Sequence, residues 1–224
     1  MKTIVFAANK GGTGKTSLCA GVATAVPVFE PGLEVGIVDL DPQGSLTRWW
    51  NLRSLRLPAL LELTPQSLAQ APEPLREAGL ELLLVDCPPG ITSITQAAIA
   101  CADLVLVPAG PGDVDLAAIV STVQMTEAAG KPFRYVLNRG PFRTRIGGQA
   151  VTALREGGKL LCLPVHTRVV IIEAMGLGFT AVEVRPRSPA AREMMAVWLA
   201  ARALLGRPPV RWLADPPASP RRRT

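Results

Sequence analysis

With 224 residues, 48% of them apolar, the chain can bury one large core, which excludes disorder as its default state. No apolar run approaches the roughly 20 residues that cross a bilayer, and four scattered cysteines (Cys19, Cys87, Cys101, Cys162) with a single histidine, His166, show no metal-binding spacing and read as reduced thiols. The net charge of +6 conceals an asymmetry: residues 1–130 carry 7 Lys and Arg against 13 Asp and Glu, and residues 131–224 carry 17 against 5, the footprint of a molecule that meets a polyanion on one side.

The chain opens on a predicted strand, TIVFAA (3–8), too short an apolar run for a signal peptide. A glycine loop and a helix over 15–25 follow, the helix ended early by Pro27. Next come a strand at VGIVDL (35–40), a broken helical pattern over 66–79, a strand at LLLVD (82–86) and a helix over 92–101. The same alternation continues with LVLVPA (104–109), a helix over 113–129, FRYVLN (133–138), a helix over 147–157, LLCLPV (160–165), a helix over 168–175 and a weaker strand at TAVEV (180–184). Ser188 and Pro189 open a last helix to 205, as N-cap and first-turn proline.

Strands that are apolar throughout are covered on both faces, and intervening helices imply parallel order. The fold class is therefore α/β: a doubly wound, mainly parallel twisted sheet flanked by helices, in a single domain over 1–206. The Pro- and Arg-rich stretch 207–224 has too little apolar matter to fold alone and is expected to be a flexible tail.

The sharpest motif is Lys10-Gly11-Gly12-Thr13-Gly14-Lys15-Thr16-Ser17, between the first strand and the first helix. Glycines let the backbone curl so that successive N–H groups face phosphate oxygens, and the helix adds the positive end of its dipole. Lys15 can reach the β- and γ-phosphates, and the Thr16 hydroxyl is placed to ligate Mg²⁺. Asn9 stands where the strict phosphate-loop pattern has glycine. At the end of the second strand, VDLDPQGS sets Asp39 and Asp41 two residues apart and so on one side of extended chain. Carboxylates there suit a magnesium shell and a positioned water. The third strand ends similarly, LLLVDCPPG, with Asp86 at its edge.

These segments resemble the deviant Walker A ATPases of the ParA/MinD group, whose loop reads KGGxGKT. The resemblance spans roughly residues 2–206 and implies a P-loop NTPase fold, ATP and Mg²⁺ as cofactors, and slow basal hydrolysis to ADP and phosphate. It implies that Gly11 to Ser17 bind the nucleotide, and that Lys10 is a signature lysine reaching the phosphates of a partner subunit in an ATP-sandwich homodimer. It further implies that Asp41 orients or deprotonates the attacking water, that Asp39 and Asp86 bind magnesium through its waters, that Pro88-Pro89-Gly90 is a switch segment, and that Asn138 reads adenine. Segment 104–116 resembles the family's dimer seam, and 183–193 its nucleotide-side loop and last helix. VFEPG stands where the family has a longer charged helix end.

Arg134, Arg139, Arg143, Arg145, Arg155, Arg168, Arg185 and Arg187 lie in or beside loops of the basic half without aromatic interleaving, which suits duplex phosphates better than stacked single-stranded bases. By resemblance to short plasmid-type ParA proteins, the expected partners are a second copy of the chain, double-stranded DNA bound without sequence preference, and a ParB-like or other adaptor that stimulates hydrolysis. The expected location is cytoplasmic and nucleoid-associated. The alternative is a MinD-like membrane-cycling ATPase, which requires an amphipathic C-terminal helix free to lie in headgroups; the candidate, 192–205, is expected to pack on the sheet instead, so a membrane is not the expected partner.

Overall fold

The computed structural model describes residues 1–110, 113–140 and 144–210. In chain order these form β1 (Lys2–Phe6), α1 (Lys15–Phe29), β2 (Val35–Asp39), α2 (Ser45–Asn51), β3 (Ala59–Leu60), α3 (Pro65–Leu68), α4 (Pro72–Glu77), β4 (Leu82–Asp86) and α5 (Ser93–Ala100). There follow β5 (Leu104–Ala109), α6 (Asp113–Ala128), β6 (Phe133–Gly140), α7 (Arg145–Glu156), β7 (Val165–His166), α8 (Val169–Gly176), α9 (Ala181–Val184) and α10 (Pro189–Leu204). The strands make one sheet in the order β3-β2-β4-β1-β5-β6-β7, and every pairing is parallel.

Each central strand is apolar on both faces, and the side chains alternate between two cores. Ile4 and Phe6 of β1, Leu82 and Leu84 of β4, and Leu104 and Leu106 of β5 pack against α1 and α10, where Leu18, Val22, Met194 and Trp198 are buried. Their neighbours Val5, Leu83, Val85, Val105 and Val107 face the other way, onto Ala98 and Ile99 of α5, Ile119 of α6 and Ala150 of α7. Burial of each large side chain contributes about 1.5–3 kcal/mol, which is why α1 and α10 lie flat on the sheet. The register fixes the site: Asp39 is the direct neighbour of Asp86 across β2 and β4, and Asp86 is that of Phe6 across β4 and β1. Both acids and the glycine loop therefore leave the sheet at its carboxyl edge.

Three expectations need correction. Pro27 does not end the first helix: α1 runs to Phe29, and the Glu30 N–H still reaches the Val26 carbonyl at 2.9 Å. Pro27 is exposed in the last turn, where its ring meets solvent and only one bond of the ladder is forfeited. Segment 180–184 is helical rather than extended, because the Glu183 carboxylate accepts the Thr180 N–H at 2.8 Å in a capping box that closes α9. The run 160–165 supplies only a bridge from Leu160 to Tyr135 and Val165, the first residue of β7, since Pro164 has no N–H to offer a ladder. No periodicity marks α2 or β3, which are too short to show one.

Ser188 caps α10 as expected, accepting the Ala191 N–H at 3.2 Å, with Pro189 in the first turn. The helix spends its apolar face on α1, and among the described residues no helix is long and apolar enough to cross a membrane. The first residues after it are tied down: Arg207 binds Glu30 at 2.9 Å, beside Arg202 of the last turn at 3.1 Å. The remainder of the predicted tail, 211–224, lies outside the described residues, as do Arg143 and Pro111-Gly112 of the 104–116 segment.

Candidate functional site

The loop after β1 turns through two left-handed glycines, Gly12 at φ 73° and Gly14 at φ 90°, a conformation that side-chain-bearing residues rarely adopt. Gly14 is the N-cap of α1 and supplies no side-chain acceptor, so the first-turn N–H groups are left for a ligand, at the positive end of the helix. Lys15 is buried, 6% exposed; burial lowers its pKa from the ordinary value, opposed by Asp86 and Asp41 nearby.

Asp86, wholly buried at the end of β4, accepts a hydrogen bond from the Thr16 hydroxyl at 2.6 Å. Its other oxygen, Oδ1, has no hydrogen-bond partner, and neither has the buried Thr13 hydroxyl. A buried acceptor without a partner is costly. Burial is the main cause that pushes the Asp86 carboxyl up to about 7; the Thr16 bond and Lys15 pull it down, while Asp39 and Asp41 push it further up. A hydroxyl, a carboxylate with a spare oxygen and a second carboxylate on the adjacent strand form an oxygen donor set that fits magnesium. Among the described residues no three His, Cys, Asp or Glu side chains converge on a cation position, so an ion here would draw its remaining ligands from phosphate and water, as Mg²⁺ usually does.

Asp39 has a structural task as well. Its two oxygens accept the N–H groups of Asp41 at 3.1 Å and Thr47 at 2.8 Å, pinning the 40–46 loop and the start of α2. Asp41, half-buried, in turn accepts the Gln43 N–H at 3.0 Å and lines a cleft of about 640 Å³ with Gly11, Gly12, Gly14, Lys15, Thr16 and Ser17. Pro89 of the 88–90 segment borders the same cleft, and Gly90 takes φ 99°, a left-handed turn after two prolines.

The cleft also has walls that the motifs do not announce: Arg48, Trp49 and Leu52 from α2 and its end, Met175 and Gly176 from α8, and Arg139. Arg139, although exposed, donates to the Gly12 carbonyl and so is tied to the glycine loop. Arg168 is likewise committed, to Glu193 at 2.6 Å. Arg145, Arg155, Arg185 and Arg187 are exposed. Trp49 is covered by Arg53, which lies 4.5 Å over its ring, binds Glu183 at 2.7 Å and donates to the Gly178 carbonyl at 2.8 Å. An arginine just past the end of a seven-residue helix, five positions after Arg48, carries no sequence signal for such a task.

Asn138 lies near the end of β6, its amide donating from Nδ2 to the Thr13 carbonyl at 2.8 Å. It also lines a neighbouring pocket of about 230 Å³ with Ser17, Thr167, Ile171 and Met175. Lys10 is exposed beside Gly110, Asn138 and Thr167 at the rim of the loop. All four cysteines are free thiols, and burial raises the pKa of Cys19 and Cys87 well above the ordinary thiol range, leaving them inert.

Residues 4–178 match the family model described as the CobQ/CobB/MinD/ParA nucleotide binding domain. The chain is 37% identical over 159 residues to the maintenance of carboxysome distribution protein A of Gloeobacter kilaueensis, covering 67% of this chain and 69% of that protein. It is 29% identical to the chromosome-partitioning ATPase Soj of Thermus thermophilus, covering 85% and 91%. The solved structure of the septum site-determining protein MinD of Pyrococcus horikoshii, complexed with Mg-ADP, has a TM-score of 0.73 over 92% of this chain and 97% of its own, at 20% identity. That last likeness is one of fold.

Proposed function

The chain belongs to the CobQ/CobB/MinD/ParA nucleotide-binding family, and from this premise we propose that it is a ParA-type ATPase that closes into an ATP-sandwich homodimer, binds duplex DNA without sequence preference and leaves it on hydrolysis. The work of the cycle is to segregate a replicon or position a cellular cargo, the tasks named by its relatives. The observation that carries this reading is the Asp86–Thr16 pair with a spare buried oxygen, set against a loop whose N–H groups await an anion.

In the proposed reaction, water attacks the γ-phosphorus in line with the departing ADP. Lys15 neutralises phosphate charge from within the site, and Lys10 reaches the phosphates of the opposite subunit, so the cation count is complete only when two chains meet. Asp41 orients the water and takes its proton. Thr16, Asp39 and Asp86 would hold Mg²⁺, which supplies charge neutralisation on the phosphates. Asn138 and the pocket beside it receive the adenine. Hydrolysis is slow until an adaptor of the ParB kind completes the arrangement, and the protein is cytoplasmic and nucleoid-associated.

The exposed Arg145, Arg155, Arg185 and Arg187 in the basic half support DNA as the surface on which the cycle runs. A membrane surface is less well supported, because α10 buries Met194, Met195 and Trp198 and has no apolar face to lend. Fluorescence anisotropy with a random-sequence duplex tests the proposal. Binding should need ATP, be lost with ADP, and weaken steeply between about 50 and 200 mM salt through counterion release. Binding indifferent to nucleotide or to salt would refute it.

A further inference from the structure

Consecutive side chains on a strand leave opposite faces, so Asn138 and Arg139 at the end of β6 ought to point apart. They converge instead. The Asn138 amide donates to the Thr13 carbonyl at 2.8 Å, and the Arg139 guanidinium donates to the carbonyl of the preceding residue, Gly12. Two irregularities bring them together. The pairing of β6 with β7 slips between Asn138 and Gly140, and Arg139 adopts φ 59°, the one non-glycine residue with positive φ among those described. Such a conformation is strained for a residue with a side chain and persists where its surroundings over-determine it.

We infer that Asn138 and Arg139 form a bracket, a positioning pair whose two donors grip consecutive carbonyls of the phosphate loop. Because a trans peptide points its C=O and the following N–H in opposite directions, holding the Gly12 and Thr13 carbonyls from the β6 side turns the Thr13 and Gly14 N–H groups away from it, ready for phosphate. The fit is close: a Cβ at Gly14 would collide with the Asn138 amide, and one at Gly12 would lie 3.5 Å from the Arg139 guanidinium. The bracket rests on the nucleotide reading of the loop and adds to it the means by which the cradle is shaped before the nucleotide arrives.

Hydrogen exchange of the nucleotide-free protein, with titrations by Mg-ATP and Mg-ADP, tests the bracket. Arg139→Gly keeps the left-handed backbone and removes the guanidinium; Arg139→Asn, a residue also tolerant of that conformation, is the second variant. In both, the amides of residues 11–16 should exchange about tenfold faster or more. Affinities for ATP and ADP should fall together by about ten- to a hundredfold, the range of one charge-assisted hydrogen bond, and Arg139→Lys should recover part of the loss. Unchanged exchange in the loop overturns the bracket whatever the affinities do, and so does unchanged affinity. A loss confined to ATP also overturns it, making Arg139 a direct γ-phosphate contact. Wild-type protein that binds neither nucleotide would refute the ATPase reading instead, and the exchange measurement, made without ligand, would still decide the bracket.

Discussion

Asp86→Asn probes the charge at the heart of the site. Burial pushes the Asp86 carboxyl from its ordinary 3.8 up to about 7. The native state therefore holds this proton more tightly than the unfolded chain does. Stability from this group is fully present below about 3.8 and is lost as pH rises through 7, amounting to about 4 kcal/mol by pH 8.5. Asparagine cannot ionise, and its amide oxygen still accepts the Thr16 hydroxyl. Its NH₂ group replaces one unpartnered atom with another, a cost independent of pH, so the slope of the difference is what decides. Urea unfolding of both proteins from pH 5 to 8.5, without nucleotide or divalent ion, should show the wild type losing about 1 kcal/mol per pH unit relative to the variant between pH 5 and 6.5. Parallel profiles would refute the claim that an ionised Asp86 is strained when alone. The same charge governs ligation: a protonated carboxyl cannot hold a cation, so Mg²⁺-dependent ATP binding by the wild type should strengthen as pH rises through 7.

Arg53→Ala leaves Glu183 with half of its partners removed and strips the cover from Trp49; unfolding free energy should fall by about 3–5 kcal/mol, and a loss below about 1 kcal/mol would show that the α2 to α9 link is dispensable. Gly178→Ala places a Cβ 2.7 Å from the Leu52 backbone at φ 75°, and should lower stability by about 2 kcal/mol or more in the same assay; a neutral effect would contradict the packing of the cleft wall. Lys15→Ala should abolish ATP binding measured by calorimetry, whereas Asp41→Ala should bind ATP and fail to release phosphate. Retained binding in the first, or unchanged turnover in the second, would overturn the role of that residue.

Much of the fold is legible because parallel strands are apolar on both faces. Runs such as LLLV and LVLVPA have no polar positions to confuse the assignment, and β2 and β4 each end in an acid, Asp39 and Asp86, at the site. The Thr16–Asp86 pairing follows from the strand–loop–helix order once β4 lies beside β1. What pattern reading misses has physical causes. In TAVEV the β-branched residues suggest a strand, but the Thr-x-x-Glu spacing is a capping box and a stronger local signal. Pro27 is tolerated because it sits on an exposed flank of a final turn. The roles of Arg139 and Arg53 depend on backbone excursions and on contacts across more than a hundred residues, to Gly12 and to Glu183; charge counting can only place such residues in a basic half or leave them as surface cations.

Sedimentation of the Asp41→Ala protein at saturating Mg-ATP and, separately, Mg-ADP tests the proposed cycle most directly. The account predicts a dimer with ATP and a monomer with ADP, and it predicts that Lys10→Ala in the same background removes the dimer while leaving nucleotide binding in place. A monomer at saturating ATP, or a dimer that forms equally well without nucleotide, would contradict it.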